Sequence, residues 1–103
     1  MKIVKLKILA KDIKTTNYVH SNGCAITKAL QLAGYLTLRD CGSHITSGNK
    51  IVANDEDNEP YRKMSDKVIK MYKYCTENFD VTNRYGDPIE PQDFTVELEL
   101  DIE

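Results

Sequence analysis

The sequence predicts an α+β fold with element order β-α-β-β-α-β, an antiparallel sheet with two helices on one face, and the first and last strands adjacent. Three observations carry this. Both ends of the 103-residue chain alternate apolar and charged residues, two internal stretches space their apolar residues helically, and the terminal strands expose opposite charges.

In KIVKLKIL, residues 2–9, Val4, Leu6 and Ile8 alternate with Lys5 and Lys7, the pattern of a strand with one wet face. TTNYVHSNG then reads as a loop, with Ser21 or Asn22 as a candidate N-cap. Ile26, Ala29, Leu30 and Ala33 follow at helical spacing and Gly34 is placed to stop the helix, so the first helix is expected from about residue 22 to 33. YLTLRD, SHIT and KIVA are short extended pieces separated by CGS and SGN, which predicts a hairpin or a three-stranded meander. NDEDNEP, residues 54–60, reads as a solvated acidic loop. Ser65 can cap a second helix, whose apolar stripe is Val68, Tyr72, Cys75 and Phe79 with Ile69 beside it, ending near Asp80. Gly86, Pro88 and Pro91 break regular structure before FTVELELDIE, where Phe94, Val96, Leu98, Leu100 and Ile102 alternate with polar residues. Lys5 and Lys7 on the first strand complement Glu97, Glu99 and Asp101 on the last. Such cross-strand pairs contribute from a few tenths to about 1 kcal/mol each, which favours pairing the two termini.

The length fits a single domain, residues 1–103, able to bury roughly two-thirds of its unfolded surface. With 14 Lys and Arg against 16 Asp and Glu the net charge is −2, so no global basic field draws the protein to nucleic acid or membrane. The apolar runs fall far short of the roughly 20 residues a membrane helix needs. Three cysteines cannot all pair within one chain and the N-terminus lacks a long apolar run with a small-residue cleavage site, so a cytosolic protein with reduced thiols is expected.

Four constellations could carry chemistry. Cys24 at a helix start would feel the macrodipole, which lowers a thiol pKa, and His20 could serve as its base; no orienting Asp or Asn is recognisable, and core packing explains an apolar first-turn position equally well. His20-x3-Cys24 and Cys41-x2-His44 have pair spacings suited to zinc, although structural sites more often carry Cys-x2-Cys. Cys75 reads as core. HSNGC can present backbone N–H groups to an anion, with Ser21 or Asn22 adding a side-chain contact and Tyr18 stacking on a base; an N-cap followed by glycine also starts many helices that bind nothing. The ligand-binding candidates are therefore Tyr18, His20, Ser21, Asn22, Gly23 and Cys24. Lastly, Lys63, Lys67, Lys70 and Lys73 share one face of the second helix and with Arg62 oppose only Asp66, a local +4 that is either a partner- or anion-binding face or a solvated one. No metal or cofactor requirement follows from these patterns.

Cys24, Ile26, Ala29 and Leu30, then Phe79 and Asp80, then Gly86, Pro88, Ile89, Pro91, Phe94, Val96 and Leu98 match a further pattern. The chain resembles a group of small phage-encoded accessory proteins whose first helix opens Cys-Pro-Ile-Ala-x-Ala-Leu. They end in Phe-Asp, a Gly-x-Pro-Val-x-Pro turn and an alternating strand. The resemblance brings no catalytic residue. It implies action in a bacterial host cytoplasm against host defence. The leading expectation is a non-enzymatic binding protein that sequesters a small nucleotide-like signal at the start of the first helix, with a homo-oligomer enclosing the ligand. The alternative is an inhibitor docking on a host defence or nucleic-acid-processing protein through the Lys63–Lys73 face or the acidic Asp55–Glu59 surface. A Cys24-dependent enzyme or zinc module comes third.

Overall fold

The structure, a computed structural model, describes residues 1–15, 24–75 and 86–103. Its elements are β1 (Lys2–Ile8), α1 (Ala10–Thr15), α2 (Ala25–Leu32), β2 (Leu38–Asp40), β3 (His44–Ser47), β4 (Lys50–Asn54), α3 (Glu59–Cys75) and β5 (Phe94–Leu100). No helix among the described residues is long and apolar enough to cross a membrane.

The terminal strands pair antiparallel, as the charge pattern predicts, in a register that sets Lys5 opposite Glu97. Val4, Leu6 and Ile8 on β1 and Leu98 and Leu100 on β5 are buried, while the charged residues between them face outward. The α+β class holds, but the strands divide between two antiparallel sheets, β1-β5 and β2-β3-β4. The cause is local. Register shifts between Ile45 and Thr46 leave Val52 as an extra residue on β4, so Val52 and Ala53 are buried in succession. The carbonyl of Val52 instead accepts the N–H of Asp101 at 2.9 Å, tying the end of the β1-β5 sheet to β4. Gly48, with φ +60, opens the two-residue β3–β4 loop, as a type II′ turn requires.

Helix α2 begins at Ala25 and closes in a Schellman arrangement: Gly34 N–H to the Gln31 carbonyl, and Tyr35 N–H to that of Leu30. Gly34 sits at φ +98, a conformation side chains resist. Helix α1 was not foreseen. Its Ile13 is buried, and Asp93 Oδ1 accepts the Ala10 N–H at 2.8 Å. Helix α3 starts at Glu59 rather than after Ser65, because Asn58 is the cap: its Oδ1 accepts the Tyr61 N–H at 3.1 Å. Ser65 lies inside the helix, buried, and donates to the Gly42 carbonyl. Cys75 is exposed rather than core. Phe79 and Asp80 lie outside the described residues. The core gathers Leu6, Ile8, Ile26, Leu30, Ile45 and Leu98 against Tyr61, Met64, Val68 and Met71 of α3.

Candidate functional site

Five of the six predicted ligand residues, Tyr18, His20, Ser21, Asn22 and Gly23, lie outside the described residues. The sixth, Cys24, precedes α2 as its N-cap but makes no capping bond. It is buried, as are Ala25, Ile26 and Thr27, and the Ala25 N–H is taken by the Tyr72 hydroxyl at 2.9 Å. The first turn of α2 thus faces the core.

This corrects the expectation of a lowered thiol pKa. Burial, and then the adjacent Asp40 carboxylate, push the Cys24 thiol up to about 12. Its Sγ–H donates to Asp40 Oδ2 at 3.2 Å. Asp40 is the hub of a polar network. Its Oδ1 accepts the Tyr61 hydroxyl at 2.5 Å and the Gly42 N–H at 3.3 Å, and its own N–H donates to Thr27 Oγ1 at 2.9 Å. Burial raises the Asp40 carboxyl, partly offset by the Tyr61 and Cys24 hydrogen bonds, and burial likewise raises the Tyr61 and Tyr72 phenols. These groups staple α2, β2 and α3 together.

The second predicted pair does not converge on Cys24. Cys41 is exposed with its Sγ 3.9 Å from Thr46 Oγ1, and His44 Nδ1 lies 2.9 Å from Ser43 Oγ. Among the described residues no three His, Cys, Asp or Glu side chains are grouped to hold a metal ion.

The lysine stripe is placed more informatively. Helical spacing puts Lys63, Lys67, Lys70 and Lys73 along the side of α3 that meets the C-terminal segment. The Lys73 ammonium donates to the Gly86 carbonyl at 2.8 Å, and the backbone carbonyl of Lys70 accepts the Ile89 N–H. Lys63 pairs with Glu59 at 2.9 Å, both exposed, and exposed Arg62 reaches the Asp55 carbonyl. Lys67 lies over the Phe94 ring, 4.2 Å from its centroid, and makes no carboxylate pair among the described residues.

Between α3 and β5 these residues frame a groove of about 400 Å3, walled by Glu59, Pro60, Lys63, Met64, Lys67, Phe94 and Val96. Its surface is mainly apolar; of its two ammonium groups, that of Lys63 is paired with the Glu59 carboxylate and that of Lys67 is not paired with a carboxylate among the described residues. The sequence pattern marked the lysines but read Phe94 and Val96 only as core alternation; both are half-buried because they lie at the end of β5 that leaves the core. A wider cleft of about 740 Å3 opens where β4 and β5 part, with Asp57, Glu59, Glu99 and Asp101 among its walls and Ile51 in its lining. This places part of the predicted acidic surface.

Compared with protein-family models, curated proteins and solved structures, the chain matches none of them.

Proposed function

We propose that the protein is a non-enzymatic binding protein that docks on a partner protein through the α3–β5 groove, gripping an acidic segment that carries an apolar anchor. The observation that supports this reading is the combination of an apolar trough with Lys67 above it, free of a carboxylate partner among the described residues. Apolar area gives such a contact its affinity, and the lysines give it sign and register. Methionine and phenylalanine are adaptable and rigid anchors respectively, both enriched at docking surfaces. Catalysis by Cys24 is disfavoured by the same geometry, since a thiol held protonated beneath the surface is a poor nucleophile. The motifs shared with small phage accessory proteins supply the setting: inhibition of a host defence or nucleic-acid-processing protein in a bacterial cytoplasm.

The test is selection from a random dodecapeptide display library, paired with native mass spectrometry against cyclic and linear nucleotides. Peptides combining acidic and apolar residues should be recovered, and Lys63→Glu with Lys67→Glu should weaken them roughly tenfold or more. A stoichiometric nucleotide adduct with no peptide selected would replace this reading with signal sequestration by the Tyr18–Cys24 loop.

A further inference from the structure

We propose that the partner segment binds as an added β-strand on the free edge of β5, an inference that rests on groove docking and specifies its mode. In a strand the N–H and C=O of one residue point to one side and those of the next to the other. The Glu99 carbonyl accepts from Asn58 Nδ2 at 2.9 Å, and the Asp101 N–H donates to Val52, so the odd-numbered residues of β5 turn their polar groups away from β1. Thr95 and Glu97 belong to that set. They stand opposite Lys7 and Lys5, and among the described residues no partner reaches their outward N–H and C=O groups.

This open stretch coincides with the groove, whose lining includes Phe94, Thr95 and Val96. Asn58 closes the edge at Glu99, so the available template is short, spanning Phe94 to Glu97. An incoming strand would hydrogen-bond Thr95 and Glu97 and alternate its own side chains. Those on the inner side meet Pro60 and Met64, which calls for an apolar residue, with an acidic one within reach of Lys67, Lys63 being paired with Glu59. Those on the outer side meet Glu97, which disfavours a second acid there. Backbone pairing supplies affinity and the alternating pockets supply selectivity, as in other strand-addition complexes.

The experiment uses a peptide recovered from the dodecapeptide library whose binding depends on Lys63 and Lys67. Thr95→Pro removes the outward N–H and sets a ring where the added strand would lie, while pairing with β1 runs through Phe94, Val96 and Leu98. Circular dichroism and the thermal midpoint check that this variant folds. The same peptide with alternate backbone amides N-methylated tests the mode without altering the protein. Strand addition predicts that Thr95→Pro, and N-methylation in one of the two alternating registers, each weaken binding roughly tenfold or more. Binding that survives N-methylation in both registers yet falls on lysine reversal overturns strand addition and leaves groove docking standing. Failure to recover any lysine-dependent peptide overturns both. A dimer that Thr95→Pro dissolves, with no peptide bound, assigns the edge to a second copy and overturns the partner-segment proposal.

Discussion

Asp40 shows how one buried residue sets both chemistry and stability. Three donors reach its carboxyl group and no Lys or Arg forms an ion pair with it among the described residues, so its charge is held mainly by dipoles, with His44 the nearby group that favours the ionised form. Burial raises its pKa above the unfolded value, so its contribution to stability is fully present below the unfolded value, about 3.9. That contribution declines as pH rises toward the folded pKa. Asp40→Asn keeps an oxygen for the Tyr61 hydroxyl but does not titrate. The variant should be less stable than the parent near pH 4, and the gap should narrow as pH rises; urea midpoints of the two proteins measured across that window check the sign. A constant gap would mean that Asp40 does not titrate differently in the folded state. The neighbouring thiol gives a second test. Cys41 and Cys75 are exposed and Cys24 is buried, so a thiol reagent should modify Cys41 and Cys75 in the native protein and Cys24 only in denaturant. Rapid native labelling of Cys24, located by peptide mapping, would contradict the described packing.

Asn58 does at the level of elements what Asp40 does at that of residues. Its Oδ1 caps α3 and its Nδ2 holds the Glu99 carbonyl, so one side chain sets the helix start and its distance from β5. Asn58→Ala should cost about 1–2 kcal/mol, and Asn58→Ser should recover the capping share without the bond to Glu99. Denaturant midpoints of the pair separate the two contributions. The terminal strands were legible because alternation and charge are written residue by residue, and the register bears this out in Lys5 opposite Glu97. The start of α3 was misread because Ser65 resembles a cap, whereas Asn58 lay hidden in an acidic run that looked like loop. The shift at Val52 left no mark in KIVA, since a bulge depends on what the carbonyl meets across the sheet. For the candidate site, the lysines could be found by helical spacing, but the apolar wall opposite them depends on where β5 runs past α3. No local pattern in FTVELEL distinguishes a groove-lining Phe94 from a buried Leu98.

Across the whole molecule α2 and α3 together make two small sheets into one core. Tyr61, Met64, Val68 and Met71 on the apolar face of α3 join the cluster containing Leu6 and Leu98 from one sheet and Ile45 and Val52 from the other. Direct sheet-to-sheet bonding among the described residues is slight by comparison: one backbone hydrogen bond at Val52, and the Lys50–Asp101 pair, whose side chains are 59% and 57% exposed. An exposed pair of this kind contributes about 0–1 kcal/mol, whereas truncating a buried Leu or Ile to Ala costs about 2–5 kcal/mol. Cooperativity between the sheets must therefore run through the helices, α2 packed on β1 and β2 and α3 packed on β4 and β5. Leu98→Ala and Ile45→Ala, one in each sheet, should both lower a single unfolding transition by about 2–5 kcal/mol, and Lys50→Ala by less than about 1 kcal/mol. Circular dichroism and tyrosine fluorescence followed in the same urea titration should give coincident curves for each variant. Two separated transitions, with Ile45→Ala shifting only one, would show that the β2-β3-β4 meander unfolds independently of the β1-β5 pair. In that case the groove between α3 and β5 would stay intact after the meander had melted, and peptide binding would persist past the first transition.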